Sequence, residues 1–191
     1  MPEPAAGKPS CLPSRLTAGR WRVAWGYAAA VLLLVLARPS PGSILAGLPL
    51  VVLGEGLRVL ANGALIKDRE LTTWGIYSHL RHPLYTGSFL IGLGFIIMAW
   101  HLILGAGMLV FFLLLYRRTV VREEEKMAHR FGPAYRDWAE RVPRFVPRRF
   151  VPAEIAADFR FSRARANREQ QGVLGVLAVT MVLWLKYLFF G

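Results

Sequence analysis

Five apolar runs, each about long enough to cross a lipid bilayer as a helix, limit what this chain can fold into more than any other feature. They cover residues 21–37, 44–62, 84–100, 102–116 and 173–190. Each holds roughly 15–19 residues, at or slightly below the ~20 that a bilayer core asks of a helix. Backbone polar groups inside lipid must be satisfied within the segment, so runs of this kind are helical. A hydrophobic share of 54% against 19% charged residues fits an integral membrane protein better than a soluble domain. The expected fold is all-α, a polytopic membrane protein with about five transmembrane helices.

The polar stretches between the runs set the organisation. Residues 1–20 are rich in Pro, Gly and Ser and read as a disordered tail. Residues 21–62 hold the first two spans, and 63–148 hold a loop, two spans and a helical polar stretch. Residues 149–172 read as a basic interfacial segment and 173–191 as the fifth span. Almost nothing but His101 separates the third and fourth runs, which predicts a tight antiparallel helical hairpin. Glycines at 87, 92, 94, 105 and 107 suit close helix packing there; Gly92-Leu-Gly94 is also compatible with room for a ligand.

Charge orients the spans. Fourteen of the 24 Lys and Arg residues lie between Arg117 and Arg168, and most others flank apolar runs. Basic residues gather on the cytoplasmic side, so the N-terminus, the 63–83 loop and the 117–172 segment are expected there and the C-terminus outside. The same distribution favours anionic lipid over nucleic acid as the partner of the +12 charge. The lone Cys11 allows no intrachain disulfide, and four dispersed histidines offer no metal-ligand spacing.

Chemistry concentrates in Gly75-Ile-Tyr-Ser-His-Leu-Arg81-His82-Pro83-Leu-Tyr85-Thr-Gly87, at the mouth of the third run. Arg and His are costly at a membrane boundary unless something there needs them, and Pro83 fixes where the next helix starts. Glu123-Glu124-Glu125 follow the fourth run, inside a helix expected over Arg118–Phe131 and stopped by Gly132-Pro133. A short helix is expected over Ala134–Arg141, an extended segment over Val142–Pro147 and a helix over Pro152–Gln171. A hairpin would return Glu123 and Glu124 to the side of Arg81 and His82. Cationic Arg-His facing two carboxylates suits a zwitterionic ligand. Tyr77, Tyr85, Tyr135 and Trp138 offer rings for a planar base or a cationic centre. The alternative is a set of boundary ion pairs and interfacial aromatics, and Glu55 with Arg58, three apart on one helix, has the same two readings.

The pattern of Gly75, Tyr77, Arg81, His82, Pro83, Tyr85 and Gly87, then Glu123, Glu124, Met127, Phe131, Gly132, Tyr135 and Val142–Pro147, resembles the isoprenylcysteine carboxyl methyltransferase family. That family groups with the membrane phospholipid methyltransferases. The resemblance covers roughly residues 50–148, and it is the combination that is specific. It implies S-adenosylmethionine bound without a Rossmann fold, with in-line methyl transfer to a lipophilic or lipidated acceptor. It further implies that Arg81, His82, Tyr85, Glu123 and Glu124 hold the donor, with Tyr77 and His79 as neighbours. Glu124 becomes the residue whose loss ends turnover. Arg130, two turns beyond Glu123, either orients an anionic substrate as a second catalytic residue or is a surface arginine. Met127 stands where Leu is usual, and nothing in the pattern accounts for the fifth span. Two other functions compete: an NADPH-dependent reductase of the sterol type, which shares an R-H-x-x-Y region without Pro83 or the Glu pair, and a non-enzymatic lipid-binding scaffold.

Overall fold

The computed structural model describes residues 31–66 and 70–190. The tail at 1–20, Cys11 and the start of the first apolar run lie outside the described residues. All regular structure among the described residues is helical. Residues 31–36 form α1, followed by α2 (Pro41–Ala64), a 3-10 turn (Gly75–Ser78), α3 (Pro83–Ala99) and α4 (Leu102–Phe131). Then come α5 (Pro133–Arg141), α6 (Pro152–Ile155), α7 (Phe161–Ala166) and α8 (Glu169–Phe190).

The signals that start and stop these helices are local. Ser40 and Ser43 form a reciprocal cap at the head of α2: the Ser43 N–H donates to Ser40 Oγ at 3.1 Å, and the Ser40 N–H to Ser43 Oγ at 2.9 Å. The Ser43 hydroxyl also donates to the Met98 carbonyl at 3.0 Å, tying the start of α2 to the end of α3. Trp100 closes α3 with φ 48°, and α4 begins two residues later. Gly132, at φ 56° and ψ −131°, makes the turn from α4 into α5, which Pro133 then opens.

Helices α2 and α3 form the tightest pair, and glycine is the reason. A Cβ added to Gly54 would stand 2.5 Å from the Gly87 carbonyl oxygen, and one on Gly87 would stand 2.6 Å from that of Gly54. Gly47 and Gly94 meet in the same way one step along. Backbone therefore touches backbone, and Gly94 serves packing against Gly47 and Val51. Phe89 meets Phe112 at 5.8 Å and Tyr85 meets Tyr116 edge-on at 4.9 Å, so the first half of α3 lies beside the middle of α4.

Two helices, Pro41–Ala64 and Glu169–Phe190, are long and apolar enough to cross a membrane, and α3 is a shorter apolar helix. Their outward faces, with those of α4, leave large apolar side chains uncovered, among them Val52, Leu113, Leu114, Leu177 and Leu188. Lipid is the environment that such a surface fits.

Three elements differ from the sequence expectation. The fourth apolar run and the polar helix after it are one 30-residue helix, α4. Pro152–Gln171 is not one helix: it breaks at Asp158 (φ 58°) and Arg168 (φ 60°) into α6, α7 and the head of α8. The break lets Phe159 settle against Gly63, where no side chain intervenes, and lets the Arg160 N–H bond the Gly63 carbonyl at 3.1 Å. Long-range contacts thus override local helix propensity in this stretch. The segment packs on the end of α2 and on the 3-10 turn, with Ile155 and Ala164 buried.

Candidate functional site

The site grows from the junction of three segments. The Arg81 N–H donates to the Pro143 carbonyl at 2.8 Å and the His82 N–H to the Arg144 carbonyl at 3.1 Å. These are backbone donors at the head of α3 that the helix itself cannot satisfy. The Val142–Pro147 stretch satisfies them and brings Arg144 alongside; it is not extended as expected but bends at residues 144–146. The Thr86 hydroxyl adds a bond to the Phe145 carbonyl at 3.3 Å.

Glu124 is the hub. Its Oε1 accepts from Arg81 Nη1 at 2.9 Å, from Arg144 Nε at 3.0 Å and from His82 Nε2 at 3.1 Å, with the ring in its Nε2–H tautomer. Its Oε2 accepts from Arg144 Nη2 at 2.6 Å, making the Arg144 pair bidentate. Burial works to raise the Glu124 carboxyl. The hydrogen bonds from Arg144 and His82 and the charges of Arg81 and Arg144 outweigh it and hold the group below the usual carboxylate range. Burial pushes the His82 imidazolium down, against the pull of Glu124 and Glu123. The Glu124 carboxylate raises Arg144 still further.

On one side of this hub lies a cavity of about 440 Å³, within the range usual for small-molecule sites. Tyr77, Arg81, His82, Glu123 and Arg130 line it, with Phe131, Tyr135 and Trp138 supplying aromatic surface. Burial raises the Tyr77 phenol, and the Glu123 charge adds to the effect, so the hydroxyl stays protonated. Two buried donors in this lining, Arg81 Nε and Trp138 Nε1, have no hydrogen-bond partner. Buried polar groups are normally paired, so these orphans mark where a ligand with acceptor atoms belongs.

On the other side lies a second cavity, about 590 Å³, lined almost entirely by apolar and aromatic groups. Tyr85, Phe89, Leu113, Tyr116 and Phe145 form it, with Arg117 and Arg144 at its polar margin. Arg144 therefore faces this cavity while holding Glu124, whose other partners, Arg81 and His82, line the first cavity.

The sequence-derived set divides accordingly. Arg81, His82 and Glu124 are bonded together; Glu123, Tyr77 and Arg130 share the first cavity with Arg81 and His82. Two residues stand elsewhere. His79 is sealed in the interior at 2% exposure, its Nδ1 2.8 Å from the Ser78 hydroxyl and its Nε2 accepting the Val151 N–H at 3.3 Å. Its ring pins the 149–151 segment, which leaves nothing for a donor to touch. Tyr85 turns into the apolar cavity, edge-on to Tyr116. Sequence reasoning missed Arg144 as a site residue, although the Val-Pro-Arg-Phe motif carried it in plain view, and it missed Asn167, which lines the first cavity from far along the chain.

A model of the phospholipid methyltransferase family matches residues 27–134 of the chain. The chain belongs to that family. Among curated proteins, the nickel-cobalt-cadmium resistance protein NccN of Alcaligenes xylosoxydans xylosoxydans is 40% identical over 84 residues, covering 43% of this chain and 38% of that protein. The protein-S-isoprenylcysteine O-methyltransferase of Rattus norvegicus is 32% identical over 114 residues, covering 53% of this chain and 40% of that one. The B form from Arabidopsis thaliana is 32% identical over 113 residues, covering 53% and 57% respectively. The chain thus spans about two fifths of the length of the first two. No solved structure matches. Within this phospholipid methyltransferase family member, the matched residues contain Arg81, His82, Glu123 and Glu124 but stop short of Arg144 and Asn167.

The depressed acid-base groups give the site a signed pH dependence. His82 is lowered, so its contribution is fully present above the ordinary imidazole value of about 6.5 and is lost as pH falls through the folded value. Glu124 is lowered too, so its contribution is present above the ordinary carboxylate value of about 4.3 and is lost as pH falls through its own folded value. Melting temperature in detergent is therefore expected to hold steady above about pH 7 and to decline on the acid side, beginning near the ordinary imidazole value. Arg144 is half exposed, which keeps the Glu124–Arg144 share of this effect small. A melting temperature that rises between pH 7 and 5 would contradict the assignment.

Proposed function

We propose that the chain is a multi-pass membrane methyltransferase that takes its methyl group from S-adenosylmethionine and gives it to a lipophilic acceptor. The donor occupies the polar cavity and the acceptor's apolar body occupies the cavity across Glu124. The observation that carries this reading is a pair of dissimilar cavities joined through one hub: Arg81 and His82, which line the polar cavity, and Arg144, which lines the apolar one, all bond Glu124. Family membership and relatives named as isoprenylcysteine methyltransferases support it. The orphan donors Arg81 Nε and Trp138 Nε1 support an anionic or hydroxyl-bearing ligand on the polar side.

When bound, S-adenosylmethionine supplies an electrophilic methyl on sulfur. The chain's own residues do the rest by holding, orienting and excluding water. Arg81, His82, Glu123 and Tyr77 hold the donor. Glu124 keeps Arg81, His82 and Arg144 in fixed register, so that donor and acceptor meet at one depth. Arg117 and Arg144, at the margin of the apolar cavity, would orient an acidic acceptor head, whereas Arg130 lines the polar cavity. In this arrangement the apolar run at 21–37, α2, α3, the apolar part of α4 and α8 are the five spans, α3 and α4 form the hairpin, and the site and N-terminus face the cytoplasm.

Saturable binding of labelled S-adenosylmethionine to the purified protein in detergent, with no binding of NADPH, is the expected result. Binding of NADPH alone would replace this reading with the reductase. Extracted host lipids should contain a species one methyl group heavier that disappears with the gene; a gene-dependent phenotype with no such species and no donor binding would support the scaffold.

A further inference from the structure

The polar cavity has a wall that lies well outside the family-matched residues 27–134. It comes from the segment between α7 and α8. At the end of α2, the carbonyls of Asn62, Gly63 and Leu65 have no further helical turn to accept from. Arg160 N–H donates to Gly63 at 3.1 Å. Asn167 Nδ2 donates to Asn62 at 2.9 Å and to Leu65 at 3.3 Å. A side-chain amide about a hundred residues away in sequence thus caps the helix.

Asn167 is itself held. Two residues on, Glu169 is buried at 4% exposure and accepts from Asn62 Nδ2 at 2.6 Å. It also takes a bidentate pair from Arg58, Nε at 3.0 Å and Nη2 at 3.1 Å. Arg58 Nη1 completes the set by donating to Ser88 on α3 at 2.8 Å. A charged pair this well satisfied fixes register across α2, α3 and α8. Asn167 and Asn62 both line the cavity. With both hydrogens of its amide nitrogen committed to α2, Asn167 has one polar atom left to offer, the acceptor Oδ1.

Resting on the donor reading above, we infer that Asn167 is a donor-binding residue whose Oδ1 accepts a hydrogen bond from an amine or hydroxyl of the bound methyl donor. Glu169 is its positioning residue. The acidic and basic groups of the rest of the lining suit the charged end of such a donor. A neutral acceptor backed by Asn62 suits its nucleoside.

The test uses the purified full chain and S-adenosylmethionine. Asn167→Ala is expected to weaken donor binding about tenfold, the size of one ligand hydrogen bond, with kcat at saturating donor unchanged. Glu169→Gln is expected to raise KM for the donor and leave kcat alone, whereas a purely structural role would lower melting temperature and leave the affinity of the folded fraction intact. Hydrogen exchange on the unmutated protein gives a second measurement that needs no variant: donor should slow exchange in the peptide covering residues 162–171. An Asn167→Ala protein that folds and binds donor within about twofold of the parent overturns the inference, as does absence of donor-dependent protection in that peptide. Failure of the parent to bind S-adenosylmethionine at all overturns the donor reading and this inference together. Parent binding with an indifferent variant overturns this inference alone.

Discussion

Glu124→Gln is expected to reduce kcat/KM at least about 100-fold while leaving a folded, membrane-embedded protein. The glutamine keeps the shape but removes the charge that two guanidiniums share. Its amide nitrogen is a donor, so one of the positions that now accepts from Arg81, His82 or Arg144 becomes a donor facing donors. Arg81, His82 and Arg144 then lose their common register, and a misplacement of about 1 Å at the reacting centre costs roughly a hundredfold in rate. Single-turnover kinetics with donor saturating is the decisive measurement, because the loss should persist when binding is no longer limiting. Retention of more than about a tenth of the parent rate would show that the hub is structural.

Arg81→Lys is the second large effect, and it should fall on binding. Lysine preserves the positive charge but has one nitrogen where arginine has a planar fork. Arg81 uses Nη1 on Glu124 and has Nε left buried without a partner. A lysine that reaches Glu124 has nothing in the Nε position, so a ligand acceptor there loses a charge-assisted bond worth about 1.5–3 kcal/mol. Donor affinity should fall by about 10- to 100-fold with the melting temperature nearly unchanged. Equilibrium binding of labelled S-adenosylmethionine reads this directly. Unchanged affinity would remove Arg81 Nε from the donor site and leave Arg81 as a support for Glu124.

Both predictions concern residues that the sequence already brought together, and the reason is geometric. One residue, His101, separates the third and fourth apolar runs, so a helix that starts at Pro83 and one that passes Glu124 have little freedom in where they meet. The parts that were not legible depend on partners with no local signature. Tyr77 and His79 are two apart in a turn with about three residues per turn, so they face different ways. The Val151 N–H that bonds the His79 ring comes from 72 residues on in the sequence. Arg144 sat in a recognised motif whose backbone bends instead of extending, and its choice of Glu124 over Glu123 or Glu125 is a matter of helix phase. Glu169 is one charge among several ahead of the last apolar run, with nothing local to single it out. Its pairing with Arg58 spans 111 residues, and no periodicity reports that.

The same span has a consequence for how the protein is made. Asn62 and Arg58 leave the ribosome about a hundred residues before Asn167 and Glu169 can reach them. Helices α2 and α3 can pair through their glycines during synthesis, because their contacts are close in sequence. The cap on α2 cannot form until α7 and the head of α8 have followed. Contacts between distant parts of a chain form late because loop closure must come first. Maturation of the binding pocket is therefore a late event in biogenesis, separate from insertion of the early helices. A nascent chain stalled before α8 is expected to lack the Arg58–Glu169 pair.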